Sequence, residues 1–173
     1  MDSHAWFVVA RLVHVAFGAF WLGAAVLIAV FLIPSVRAAG PAGGAVMQQL
    51  TQVRRMPNVI LGASWVALLT GAYLYWRSSG GLQPDWLLSR AGLTFGIGGL
   101  LAIAAAAVGS AVSSPTASHM GALASRIQQR GGPPSPDEAA ELQRLQARML
   151  LAAQAISLLL VLAIAAMAIG NYI

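Results

Sequence analysis

The chain has 173 residues, of which 58% are hydrophobic and only 9% charged, against about 25% charged in a typical soluble domain. It has no cysteine, which excludes disulfides, iron–sulfur clusters and thiolate metal sites. All ten basic residues are arginines, against five acids, for a net charge of +5. They flank apolar stretches, the pattern of loops between membrane spans rather than of a nucleic-acid surface.

Four uncharged stretches run from Leu12 to Ile33, Pro57 to Trp76, Ala91 to Ser114 and Met149 to Ile173. Each is long enough to cross a bilayer, which takes roughly 20 mostly apolar residues. The sequence predicts an all-α fold: an integral membrane four-helix bundle, one domain over 1–173, with spans at about 5–33, 57–76, 90–114 and 149–172. A cytoplasmic αα-hairpin stalk over about 115–148 is expected between the third and fourth spans.

In chain order, Met1-Asp2-Ser3-His4 lacks the basic start of a secretory signal, so the mature protein is expected to begin at Met1 or Asp2 and to keep its first helix. Pro34 is expected to end that helix, with Trp6 as an interfacial anchor. Val46, Leu50 and Val53, at i, i+4 and i+7, predict a short helix along the inner surface. Pro57 suits the first turn of the second span. That span ends in Tyr73, Tyr75, Trp76 and Arg77, an aromatic belt with a cation. Ser78-Ser79-Gly80-Gly81 reads as a tight outer loop, and Pro84 to Leu88 as a half-buried turn.

The third span carries Gly92, Gly96 and Gly99 on one face, with Gly98 and Gly109 besides. Such a face serves close helix packing, or the seating of a flat macrocycle. Ser135-Pro136-Asp137-Glu138 has the form of a capping box. Leu142, Leu145 and Met149 form one stripe of the hairpin, and Met120, Leu123, Ala124 and Ile127 the other, separated by Gly131-Gly132-Pro133-Pro134. No internal repeat is evident. Loops one and three hold seven arginines (Arg37, Arg54, Arg55, Arg126, Arg130, Arg144, Arg148) and the opposite side three (Arg11, Arg77, Arg90). This asymmetry puts those loops in the cytoplasm and both termini outside a plasma (inner) membrane.

His14 and Arg11 are the strongly polar side chains in or near the spans. Ionisable residues there usually face the bundle interior. His14 lies about 13 Å below the outer end of its helix, at 1.5 Å per residue. A neutral histidine so placed serves as a heme or copper ligand, or as a structural hydrogen-bond donor to a backbone carbonyl, Ser64 or Thr70. Arg11 lies one turn nearer the surface, with Arg77 and Arg90 at the same level, where they can hold heme propionates or snorkel to lipid phosphates. Met167 is the thioether at comparable depth for a second axial position, and copper has His14, Met167 and His4 as its donor set. His119 reads as stalk surface. No acid lies within a span, which disfavours a proton-coupled transporter, and no nucleotide loop or catalytic triad is present.

The segment Leu12-Val13-His14-Val15-Ala16-Phe17-Gly18-Ala19-Phe20-Trp21-Leu22-Gly23 resembles the first helix of CopD-like copper-resistance membrane proteins, and is similar to that of HemJ-type protoporphyrinogen oxidases. These share a histidine followed by a Trp-x-Gly patch. Arg55-Met56-Pro57 and Thr70-Gly71-Ala72-Tyr73-Leu74 are similar to their second helix. The resemblance implies a four-helix bundle with heme b or copper near His14. The HemJ-type pattern has a lysine at the start of the third helix, where this chain reads Ser89-Arg90-Ala91. The leading expectation is a non-catalytic accessory subunit of a respiratory or photosynthetic electron-transfer complex, with lipid and membrane-protein partners. A CopD-like heme b or copper protein using His14 and a HemJ-like oxidoreductase are the alternatives.

Overall fold

A computed structural model describes residues 3–170 and 172. Met1 and Asp2, where the mature chain is expected to start, and Asn171 and Ile173, at the end of the fourth span, lie outside the described residues. Among those described, all regular structure is helical. Four helices are long and apolar enough to cross a membrane: α1 (His4–Ala38), α3 (Met56–Ser78), α5 (Arg90–Arg130) and α6 (Pro136–Ile169). Two shorter helices join them, α2 (Pro41–Gln48) after α1 and α4 (Pro84–Leu87) after α3.

The first helix does not end at Pro34. It continues to Ala38 through a π turn at Ile28–Leu32, and α5 passes Pro115 in the same way through a π turn at Gly109–Ser113. A proline in a regular helix collides with the carbonyl four residues back. Here the residues before the prolines, Ile33 and Ser114, donate to carbonyls five back, those of Ile28 and Gly109. The widened turn moves the obstructing carbonyl aside and lets the helix carry on. Both turns flank one stretch of α6. Ala29 and Ile33 pack against Ala153 and Met149, and Gly109 faces Ile156. A third π turn, Gln49–Val53, prolongs α2 up to Arg55, whose left-handed backbone (φ 49°) turns the chain into α3.

α1 packs mainly along α3 and α5 along α6, with smaller contacts between α1 and α6 and between α3 and α5. All four long helices contribute to one buried cluster of Trp21, Ala25, Ala67, Ala105 and Leu160. Its members are mostly alanines; Ala105 is wholly enclosed, and Trp21, at 5% exposure, is the one large aromatic. Large apolar side chains instead cover the outside, among them Leu12, Phe31, Leu69, Leu100, Leu151 and Leu158. Small residues inside and large ones outside reverse the pattern of a water-soluble core and suit helices that approach closely in lipid.

The glycines of α5 do not share one neighbour. Gly92 lies beneath the Trp86 carbonyl and Gly96 beneath the Tyr75 hydroxyl, while Gly98 receives Met167 of α6, and Gly99 has nothing near it. Ser89 caps this helix by accepting from the Gly92 N–H. Tyr75 ties the end together, donating to the Gly92 carbonyl (3.1 Å) and meeting Trp86 edge-on (5.1 Å between ring centres).

In the hairpin formed by the second half of α5 and the first of α6, Leu123 and Leu145 are buried and Met120, Ile127, Leu142 and Met149 half-buried. Ala124, placed on that stripe by its spacing, is exposed. The capping box is present. The Ser135 hydroxyl accepts from the Glu138 N–H, and the Glu138 carboxylate from the Ser135 N–H. The Arg130 guanidinium adds two bonds to the same carboxylate (2.6 and 2.9 Å) and one to the Pro133 carbonyl. Arg130, and next the Ser135 N–H, hold the Glu138 carboxyl at about 2, well below its ordinary value.

Candidate functional site

His14 is half-buried on α1, facing α3. Its Nδ1–H donates to the Ala67 carbonyl at 2.8 Å. A carbonyl can only accept, so the proton sits on Nδ1. The Thr70 hydroxyl is 3.5 Å from the same nitrogen but is itself bonded to the Val66 carbonyl at 2.6 Å. Ser64 bonds instead to the Leu61 carbonyl.

The ring lies on Gly71. A methyl group there would come within 2.7 Å of His14 Cε1 and 3.1 Å of Nδ1. A glycine inside a helix costs about 1 kcal/mol relative to alanine, and here it gives the imidazole its room. Gly71 and the Ala67 carbonyl are parts of the site that the sequence reading did not single out. The one signal for Gly71 was an isolated glycine within an apolar helical pattern, which costs stability there, but Gly18, Gly23 and Gly62 carry the same signal and meet no neighbour.

Nε2 has no hydrogen-bond partner within the described residues. No enclosed side-chain nitrogen or oxygen there is left unpaired, so Nε2 is not sealed in the core. It is the ring atom free to accept a proton or bind a metal. A backbone carbonyl on Nδ1–H is also the usual arrangement for fixing a ligating histidine.

The other predicted residues do not gather around it. Arg11, one turn away, is exposed, as is Arg90 in the first turn of α5. Met167 lies over Gly98 between α5 and α6, the other helix pair. His4 lines an open cleft of about 400 Å³ with Phe7, Arg77 and Ser78. A second groove of about 470 Å³ between α1 and α3 is lined by Trp6, Val9, Ala10, Val13, Thr70 and Tyr73 and is almost wholly apolar. His119 is exposed on the hairpin. No three His, Cys, Asp or Glu residues among those described come together to hold a metal.

Comparisons with known protein families, with characterised proteins and with solved structures return no match.

Proposed function

We propose that the chain is a multi-pass membrane protein whose four long helices span the bilayer as a bundle, and that it serves as a non-catalytic subunit packing within a larger membrane assembly. The observation that carries this is the filled interior. Trp21, Leu160 and closely apposed alanines occupy the space between the helices, His14 bridges two of them, and the large apolar side chains face outward. The arginine asymmetry orients the α5–α6 hairpin to the cytoplasm and both termini to the outside of the plasma membrane. A respiratory or photosynthetic electron-transfer complex is the proposed setting.

A second reading, a heme b- or copper-binding protein of CopD-like type, rests on the free Nε2 of His14. The residues present do not fit a heme held between two ligands of one chain, because Met167 is engaged between the other two long helices and His4 and His119 lie elsewhere. What the chain offers is a single ligand, with Arg11 one turn away. The same geometry gives a HemJ-like oxidoreductase no assembled cofactor site.

The test is an absorption spectrum of the chain purified in mild detergent, oxidised and then dithionite-reduced, with metal analysis and identification of co-purifying proteins. A featureless, metal-free protein retained with stoichiometric membrane partners is expected. A Soret band or bound copper lost in His14→Ala would overturn the subunit reading in favour of the second.

A further inference from the structure

The segment between α1 and α3 is the most one-sidedly charged part of the chain. Residues 34–56 contain Arg37, Arg54 and Arg55 and no acid, and no acid occurs anywhere from Ser3 to Pro84. The hairpin differs: its Arg130 and Arg144 pair with Glu138 and Glu141. Among the described residues, Arg37, Arg54 and Arg55 form no ion pair. Arg148, next to the Met149 that packs by Ile33, lies at the same end.

α2 and its π-turn extension present apolar side chains beside these cations. Val46 is 53% and Val53 63% exposed, and Leu50 is half-buried. The polar residues of this helix are all uncharged and fall in its second half: Gln48, Gln49, Thr51 and Gln52. Both ends of the segment are fixed. Gly40 turns the chain at φ 57°, and a methyl group on Gly43 would strike the Val36 carbonyl, so α2 begins hard against α1. Arg55 holds a left-handed backbone that glycine would adopt more easily. A short helix held in place, with exposed valines and unpaired arginines following its last turn, matches the chemistry of a bilayer interface: acyl chain beneath, phosphate beside.

We infer that Val46, Leu50, Val53, Arg54 and Arg55 form a binding surface for anionic phospholipids of the adjacent leaflet. The valines and leucine enter the acyl boundary, and the two guanidinium groups meet headgroup phosphates bearing net negative charge. The inference rests on the membrane reading above and adds to it the class of lipid and the residues that select it.

The test uses the full chain in detergent, titrated with phosphatidylglycerol or phosphatidylcholine and read by native mass spectrometry. A near-surface cation contributes about fivefold to attraction for anionic lipid, so the pair contributes on the order of thirtyfold. The expected result is a preference for phosphatidylglycerol that falls about thirtyfold in an Arg54→Gln, Arg55→Gly double variant. Glycine at position 55 relieves the backbone and keeps loss of charge separate from loss of fold. Inorganic phosphate at millimolar concentration should not compete, since the acyl contacts are part of the surface; full competition would overturn the lipid assignment. Equal binding of the two lipids, or an undiminished preference in the double variant, would overturn the inference while leaving the membrane reading intact. A chain soluble without detergent would overturn both.

Discussion

Replacing Gly71 by alanine sets a methyl carbon 2.7 Å from Cε1 of His14 and 3.1 Å from Nδ1. The first is shorter than a real methyl contact and the second is tight, so the ring must shift, and its bond to the Ala67 carbonyl is lost with the shift. Forcing an extra methyl into a packed contact costs about 1–3 kcal/mol, and losing an intramembrane hydrogen bond about 0.6 kcal/mol. The alanine returns up to about 1 kcal/mol of helix propensity. With that return the single variant is expected to lose about 0.6–2.6 kcal/mol. His14→Ala removes the ring and its bond and is destabilising by a similar amount. In that background the space above position 71 is empty, so Gly71→Ala becomes neutral or stabilising. Helix propensity cancels between the two backgrounds, so the double-mutant cycle should show a coupling of about 1.6–3.6 kcal/mol favouring the double variant. Reversible unfolding in mixed micelles measures all four stabilities. If Gly71→Ala costs as much without His14 as with it, the ring does not lie on Gly71 and the site described here is wrong.

Three further outcomes follow from the same geometry. The Glu138 carboxyl, held at about 2 by Arg130 and the Ser135 N–H, stabilises the hairpin turn fully above its ordinary value near 4.5 and loses that contribution as pH falls towards 2. An NMR titration should find the low midpoint, with Arg130→Gln raising it; a midpoint near 4.5 in the parent chain would refute the clamp. Pro34→Ala should change stability by less than about 1 kcal/mol, because the π turn already accommodates the ring, whereas relief of an unaccommodated proline would return about 3 kcal/mol. Tyr75→Phe removes the bond to the Gly92 carbonyl and should cost about 0.6 kcal/mol in the same unfolding assay, with the Trp86 contact kept.

The long helices were legible because length and apolarity are properties of a segment, and these segments carry almost no polar residue to confuse them. The capping box at Ser135 was legible for a related reason: its hydrogen bonds are local and fixed by spacing. Pro34 misled because proline's effect on a helix is local only when the turn before it is regular, and nothing in Ile28–Leu32 announces a π turn. The glycines of α5 were legible only as a face, because i, i+4, i+7 spacing does not say which neighbours meet it. On that face Gly92 lies beneath the Trp86 carbonyl, Gly96 beneath the Tyr75 hydroxyl, and a methyl on Gly99 would touch nothing; it is Gly98, off the face, that packs against Met167 of α6. For His14, the sequence supplied the residue and the alternatives, a ligand or a bond to a carbonyl. The partner comes from another helix, and its register against α1 is a tertiary fact.

The same packing that closes the interior limits where any chemistry can occur. Alanine and glycine let the helices approach, but they bring no reactive group. Polar side chains near the core are largely absorbed by backbone carbonyls: Ser64 by Leu61, Thr70 by Val66, Tyr75 by Gly92, Thr116 by Val112. Beside these, among the described residues, His14 keeps a second polar atom, Nε2, free of such a bond, and that atom is not enclosed. A ligand, metal or partner that uses it must therefore come from beside the α1–α3 contact, not from within the helices.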